Sequence, residues 1–220
     1  MSQQNLRDSV ESSVYKAVTR SGSKRNALLR LFTDKTFSRR ALRYALRLPT
    51  PLATEDRRVL EQIIFKHYAA RDDMRSVLFV GCQWYTKHYE GLFPHRNYWT
   101  IDPSARSRKF GARQHVMAPL ERLDEFFPEG YFDLVICNGV YGYGLDTLEQ
   151  CELAFSRCHT RLRTGGELVF GWNNVPERMP VPLESIDSLK RFRTLVFAEF
   201  DSWRYVTDTP YAHTYDFYRR

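Results

Sequence analysis

The sequence lacks several patterns that would assign it to common classes of protein. No stretch approaches about 18 consecutive apolar residues, so we predict no membrane-spanning helix. The N-terminus has no apolar stretch of the kind found in signal peptides, and we expect a cytoplasmic protein. The cysteines form no C-x-x-C pair, which argues against a zinc site or a disulfide framework and favours reduced thiols in the core.

Motifs for phosphate and metal binding are also missing. No G-x-x-x-x-G-K-[ST] sequence occurs, which excludes a P-loop. A dinucleotide-binding turn needs three glycines, whereas here only Gly81 is present, with Gln83 and Thr86 at the other two positions. The histidines include no pair with i, i+4 spacing on a helix, so we predict no metal ion.

The positive charge is concentrated at the N-terminal end of the chain. Residues 1–50 contain 11 Lys/Arg and 3 Asp/Glu, a net charge of +8, whereas residues 51–220 contain 22 and 23, a net charge of −1. Between residues 24 and 48, apolar side chains recur with helical spacing among arginines, which predicts an amphipathic helix.

We therefore divide the chain into a basic helical extension, residues 1–52, and a main domain, residues 53–220. The extension could bind nucleic acid, contact an anionic membrane surface, or cover the active site. No motif of a nucleic-acid-binding module supports the first of these.

Apolar strands alternate with helical segments in the main domain. We predict strands near 76–81, 98–102, 113–118, 132–138, 166–172, 194–200 and 213–219. We predict helices near 54–73, 83–92, 119–127, 146–162 and 182–192, with Asp146 and Glu149 as a capping box for the fourth. Alternation of this kind predicts an α/β fold with a doubly wound, mostly parallel seven-stranded sheet and flanking helices.

The most informative segment runs from Ser76 to Asp102. An apolar strand ends at Gly81, and a second strand ends in Asp102 about 20 residues later. This is the layout of a nucleoside-binding βαβ unit, in which a carboxylate at the strand end accepts hydrogen bonds from both ribose hydroxyls. Because the phosphate-binding glycines are missing, we predict a ligand with a ribose and without phosphates.

Four segments, in order and spacing, resemble class I S-adenosylmethionine-dependent methyltransferases over roughly residues 55–220. They are Val77–Cys82, Asp102, Phe132–Asn138 and Leu162–Phe170. The resemblance implies a Rossmann-like fold and S-adenosyl-L-methionine as the cofactor. The chain departs from the family motif D-x-G-x-G-x-G, in which the acid helps to hold the amino group of the cofactor. Phe79 takes the place of that acid, and Gln83 and Tyr85 replace the later glycines.

The resemblance places the candidate site at the carboxyl ends of the strands. Candidate cofactor-binding residues are Gly81, Cys82, Gln83, Asp102, Pro103, Met117, Asn138 and Gly139. Candidate substrate-binding residues are Tyr141, Tyr143, Trp172 and Asn173. The catalytic residues are unknown, and His213 and Tyr141 are the candidates for a general base.

We predict methyl transfer to a small or medium-sized acceptor at an oxygen, hydroxyl or carboxylate, with nitrogen left open. The fourth strand does not end in the Asn/Asp-Pro-Pro-aromatic motif, which argues against N-methylation of nucleic acid. One alternative is a catalytically silent, methyltransferase-like binding or regulatory protein. The other is a membrane-surface enzyme that uses residues 24–48 to reach a lipid-linked acceptor. The oligomeric state is left open.

Overall fold

The computed structural model describes residues 52–220, which form an eight-stranded sheet with helices on both faces. The basic extension, including the predicted helix at 24–48, lies outside the described residues except for Leu52. The division of the chain at residue 52 therefore stays a prediction. No helix within residues 52–220 has the length and apolar character needed to cross a membrane.

The sheet is mostly parallel, as predicted, and has the strand order β3-β2-β1-β4-β5-β8-β6, with β7 also pairing with β8. The strands are β1 Ser76–Val80, β2 Asn97–Ile101, β3 Gln114–Val116, β4 Phe132–Asn138, β5 Leu162–Asn173, β6 Arg193–Thr194, β7 Arg204–Val206 and β8 His213–Arg219. Strands β1 to β5 pair in parallel, and β8 pairs antiparallel with β5, β6 and β7. The described residues thus contain eight strands, one more than the predicted seven. The strand predicted at 194–200 is wrong beyond Thr194, where β6 ends and an isolated bridge at Phe197 and a turn follow.

Three α-helices accompany the sheet in the described residues. Helix α1 runs from Glu55 to Ala69 with a π-helical stretch, Leu60–Ile64, at its centre. Helix α2 is Leu148–Arg161, and the short α3 is Asp187–Lys190. The predicted helix at 119–127 is a 3-10 helix, Leu120–Glu125, and the one at 182–192 is reduced to a 3-10 turn followed by α3.

The helix predicted at 83–92 is wrong, because turns replace it before a short 3-10 helix, Tyr89–Leu92. The Gln83 amide donates to Thr86 Oγ1 at 3.0 Å, and the Thr86 hydroxyl donates back to the Gln83 carbonyl at 2.9 Å. A threonine side chain that satisfies local backbone groups offers the chain an alternative to helical hydrogen bonds. The chain therefore leaves β1 through a turn instead of a helix.

Both faces of the sheet are buried, which explains why its central strands are apolar without alternation. Leu78 and Val80 of β1 belong to the core beneath α2, whereas Val77 and Phe79 belong to the core beneath α1. We call these the α2-side core and the α1-side core. A doubly wound sheet has this arrangement, and the predicted fold class is confirmed.

Helix α2 begins with a capping box that lies one residue beyond the predicted pair. The Gln150 amide donates to Thr147 Oγ1 at 3.2 Å, and Gln150 Oε1 accepts from the Thr147 amide at 3.1 Å. We expect Thr147→Ala to lower the free energy of unfolding by about 1 kcal/mol, because orphan amides at the helix start lose their partner. Urea denaturation tests this, with Thr147→Ser as the variant that keeps the hydroxyl and stays near wild type. Equal stability of the alanine and serine variants would contradict the assignment.

Candidate active site

Asp102 joins the loops that follow β1 and β2. Its side chain is buried, Oδ2 accepts from the Cys82 amide at 2.8 Å, and Oδ1 accepts from the Ser104 amide at 2.8 Å. An ionised carboxylate has about four lone-pair sites, so each oxygen keeps one for a further donor. The carboxylate is thus fixed in place by backbone groups and can still accept two hydroxyl hydrogens.

The turn that follows β1 requires glycine at position 81. Its φ of +84° lies in the left-handed region, and its amide donates to the Ile101 carbonyl at 2.9 Å. A Cβ at this position would lie 2.9 Å from Cγ1 of Val140, in the loop after β4. Glycine alone therefore satisfies both the backbone conformation and the close approach of the two loops.

The strand order brings the candidate cofactor-binding residues to one edge of the sheet. Met117, which is 59% exposed, follows β3, and Asp102 and Pro103 follow β2. Gly81, Cys82 and Gln83 follow β1, and Asn138 and Gly139 lie at the end of β4. Because β3, β2, β1 and β4 are neighbours in that order, these groups form a continuous row, and their role in binding stays a prediction.

Phe79 occupies the position of the family's acid and is part of the α1-side core. It is 1% exposed and packs edge-on against Phe65 and Tyr89, with ring centroids 6.2 and 5.2 Å apart. An amino group of a ligand would find no carboxylate here.

A buried group of polar side chains lies at the ends of β4, β5 and β8. His213 is 5% exposed, its Nδ1 lies 2.7 Å from Asn173 Oδ1, and its Nε2 lies 3.0 Å from Asn138 Oδ1. We call these three residues the Asn–His cluster. Burial, and then the nearby guanidinium of Arg57, lowers the pKa of His213 to about 4, so the ring is neutral at pH 7.

The neutral ring leaves one polar atom of Asn138 without a partner. A neutral imidazole has a single N–H and donates to only one of the two amides, so the other amide must present its NH2 group. Asn173 Nδ2 already donates to the Tyr143 hydroxyl at 3.0 Å, which fixes Asn173 Oδ1 towards His213. Asn138, 5% exposed, must therefore turn its NH2 group towards His213 Nε2, which leaves its Oδ1 at the position that has no partner among the described residues. A buried polar atom of this kind is a candidate contact for a ligand.

Arg57 is a site residue that the sequence analysis missed. It lies in the first turn of α1 and is 8% exposed, and its guanidinium carbon lies 4.7 Å from the ring centroid of Tyr85. Its Nη2 is 3.9 Å from the position that a Cβ on Gly139 would take. The sequence held a signal, since Arg57 precedes Leu60 and Ile64 at helical spacing on the apolar face of α1.

Neither candidate general base is free to act. Both ring nitrogens of His213 face amides of the Asn–His cluster. Tyr141 is fully buried and donates its hydroxyl to the Val181 carbonyl, and burial raises its pKa to about 12. The described residues also contain no group of three or more His, Cys, Asp or Glu side chains arranged to hold a metal ion.

The candidate substrate-binding residues separate into two sets. Tyr143 and Asn173 are joined by a hydrogen bond, and the Tyr143 ring lies 4.9 Å from the guanidinium of Arg178. Trp172 instead belongs to the α2-side core, where it is 2% exposed and its Nε1 donates to Asp216 Oδ2 at 3.1 Å. Successive side chains on a strand point to opposite faces of the sheet, so the indole of Trp172 points away from Asn173 and the Asn–His cluster. This placement favours a structural role over an acceptor contact.

Comparison with known proteins gives a domain match and similar folds. Residues 78–170 match a family model described as a methyltransferase domain. No curated protein matches the sequence significantly. The N-methyltransferase NodS from Bradyrhizobium japonicum WM9 is 18% identical, with 76% of this chain and 96% of that chain covered and a TM-score of 0.55. Its complex with S-adenosyl-L-homocysteine is 17% identical over 73% and 97% of the two chains, with a TM-score of 0.52.

A SAM-dependent methyltransferase from Archaeoglobus fulgidus is similar over more of this chain. It is 14% identical, with 85% of this chain and 100% of that chain covered and a TM-score of 0.52. The shared feature is the mostly parallel sheet with helices on both faces, in which residues 78–170 span β1 to most of β5. Residues 78–170 thus match a methyltransferase domain, and the fold agrees with the resemblance to class I S-adenosylmethionine-dependent methyltransferases seen in the sequence.

Proposed function

We propose that this chain binds S-adenosyl-L-methionine, the cofactor of the methyltransferases that it resembles, and transfers the methyl group to a small or medium-sized acceptor. The observation that carries the proposal is the buried carboxylate of Asp102, fixed by two backbone amides with lone pairs left for a ribose. Gly81 beside it supports the fit, because its missing Cβ lets the loops after β1 and β4 meet at the same edge.

The row of strand ends supports an order for the parts of the cofactor. Met117 at the end of β3 offers an exposed apolar surface for adenine, and Asp102 at β2 accepts the ribose hydroxyls. The methionine tail then extends over the ends of β1 and β4, towards Gly81 and Gly139. Ligands of open α/β sheets bind at this edge, outside the carboxyl ends of the strands.

The chemistry that the bound cofactor supplies is an electrophilic methyl group on a sulfonium. In-line attack by a carboxylate neutralises the sulfonium charge, and attack by a neutral amine moves that charge to the acceptor nitrogen. In both cases the main contribution of the protein is to align the acceptor and exclude water. Tyr143 and Asn173 hold the rim on the acceptor side through their mutual hydrogen bond.

The state of the two candidate bases limits the class of acceptor. With His213 neutral and engaged and Tyr141 protonated and engaged, neither takes a proton from a hydroxyl. The fitting nucleophile is therefore one that attacks at pH 7 without first giving up a proton to a base of the protein. A carboxylate oxygen satisfies this condition and keeps the predicted oxygen acceptor, and an amine in its neutral form is the second candidate.

The test of the cofactor site is calorimetric titration of S-adenosylmethionine and S-adenosylhomocysteine into the full chain. We expect micromolar binding that weakens at least about 30-fold in Asp102→Asn, because hydrogen bonds to a charged group contribute about 1.5–3 kcal/mol each. The matched control is Asp72→Asn, whose fully exposed carboxylate precedes β1 at the opposite edge of the sheet. A folded wild type that binds neither ligand would overturn the proposal.

The catalytically silent alternative is favoured by two observations. The segment after β1 is a turn without a helix, and the acid position holds the buried Phe79, so two parts of the usual tail site are missing. Transfer of a labelled methyl group to a panel of carboxylates and amines separates an enzyme from a protein that binds without turnover. The proposed membrane contact through residues 24–48 is tested by binding to anionic liposomes that weakens with salt.

A further inference from the structure

Arg57 is a buried cation whose contacts in the described residues do not use its full set of donors. The guanidinium has five N–H groups and stays charged in proteins. Its Nε lies 3.5 Å from Asp56 Oδ2, its Nη1 donates to the Tyr89 hydroxyl at 3.4 Å, and the face of Tyr85 covers it. Both polar distances are long for hydrogen bonds, and a buried charge is costly unless it is closely paired.

The position of Arg57 is fixed by the packing of α1 on β8. The Tyr215 hydroxyl donates to the Asp56 carbonyl at 2.7 Å, which anchors the first turn of the helix over the α1 side of the sheet. The guanidinium then lies beside Gly139, immediately after Asn138 and its unpartnered amide atom. Two buried polar groups with unused hydrogen-bonding capacity thus meet at the end of β4.

The strand order places this point two strands away from Asp102. Neighbouring strands are about 4.8 Å apart, so the end of β4 lies about 10 Å from the end of β2 across the end of β1. A ligand whose ribose is held at Asp102 and whose tail crosses Gly81 therefore presents the end of that tail to Arg57. In S-adenosylmethionine that end carries one carboxylate and one ammonium group.

We propose that Arg57 binds the α-carboxylate of the cofactor, so that this chain holds the methionine tail from its carboxylate end. The inference rests on the proposed function. It explains how the methionine tail is held although the buried Phe79 takes the place of the acid that helps to hold the amino group in the family. A planar guanidinium can pair with both oxygens of a carboxylate, whereas it repels the ammonium group. With its NH2 group turned towards His213, Asn138 presents its Oδ1 as an acceptor at the same end, which suits the ammonium group of the tail.

The test compares S-adenosylmethionine with decarboxylated S-adenosylmethionine, which keeps the adenosine, the sulfonium and the amino group. We expect the wild-type chain to bind the first at least about 30-fold more tightly, since one charge-assisted bidentate pair is removed in the second. Arg57→Met should bind both ligands with nearly equal affinity, at the level of the wild type with the decarboxylated ligand. Arg57→Lys should retain part of the discrimination, because it keeps the charge without the planar fork.

Arg58→Met is the matched control, since Arg58 is the exposed neighbour on the same turn, and it should discriminate as the wild type does. Thermal melts of all variants exclude loss of the fold, and Arg57→Lys keeps the test valid if Arg57→Met does not fold. Equal affinity of the wild type for both ligands would overturn the role of Arg57 and leave cofactor binding intact. The same conclusion would follow if Arg57→Met preferred S-adenosylmethionine over the decarboxylated ligand as strongly as the wild type does. Failure of the wild type to bind either ligand would instead overturn the proposed function itself.

Discussion

Glu167→Gln is expected to lower the free energy of unfolding by about 2–3 kcal/mol. The Glu167 carboxylate is 1% exposed and accepts two hydrogen bonds from Arg71, at 3.0 and 3.1 Å, and one from Arg219 at 3.0 Å. Breaking a fully buried ion pair typically costs about 3–5 kcal/mol, because an uncompensated charge stays behind. Here both arginines are partly exposed and regain some hydration, which places the expected loss below that range.

Urea denaturation at pH 7 measures the effect, and the matched control is Glu125→Gln. The Glu125–Arg122 pair is about as short but lies on the surface, so its loss should leave stability within error of the wild type. Glu167 connects three elements, because it lies opposite Arg219 in the register of β5 and β8 and also receives Arg71 from the end of α1. If Glu167→Gln had the same free energy of unfolding as Glu125→Gln, the ion pairs of Glu167 with Arg71 and Arg219 would not be what joins α1 to the antiparallel edge of the sheet.

The parts of the fold that the sequence predicted well are those whose patterns are local. β1 and β4 are apolar runs that end at glycine and asparagine, and β8 is rich in aromatic residues. Their predicted positions agree with the structure to within one residue. Helix α2 has a long apolar stripe, and only its capping pair was displaced by one position. Long periodic segments are the most reliable signal in a single sequence.

The errors fall where contacts between distant residues decide the structure. β7 is three residues long and exists because it pairs with Thr214–Asp216 of β8, which no local pattern in Arg204–Val206 indicates. The segment 83–92 was predicted as a helix, but the hydrogen bonds between Thr86 and Gln83 form a turn, and this turn decides how the chain leaves β1. Short elements of this kind depend on tertiary context more than on propensity.

The candidate site shows the same division between local and distant information. Asp102 was found because a strand-terminal acid at a fixed distance from Gly81 is a sequence pattern. The burial of Trp172 depended on which face of β5 it occupies, and the importance of Arg57 depended on a helix packing over the end of β4. Both are properties of the assembled sheet, which the sequence alone could not place.

The stability of the chain is expected to fall between pH 6.5 and pH 4 because of His213. Burial and the neighbouring Arg57 lower the pKa of its imidazole from the ordinary 6.5 to about 4. In this window the unfolded chain binds a proton that the folded chain does not, so acidification favours unfolding. The contribution is fully present above pH 6.5, and a difference of 2.5 pKa units corresponds to a loss of about 3 kcal/mol by pH 4.

The measurement is the free energy of unfolding in urea between pH 4 and pH 7.5, for the wild type and for His213→Gln. Burial also lowers the pKa of His115 and of His159, so the wild type alone reports more than one group. Subtracting the His213→Gln curve removes these shared contributions and should leave a difference that changes by about 3 kcal/mol across the window. The control is His95→Asn, which replaces an exposed histidine with a φ of 62° that asparagine also adopts. A His213→Gln curve parallel to the wild type would show that folding does not shift the pKa of this ring, and it would contradict the burial of His213 in its neutral form.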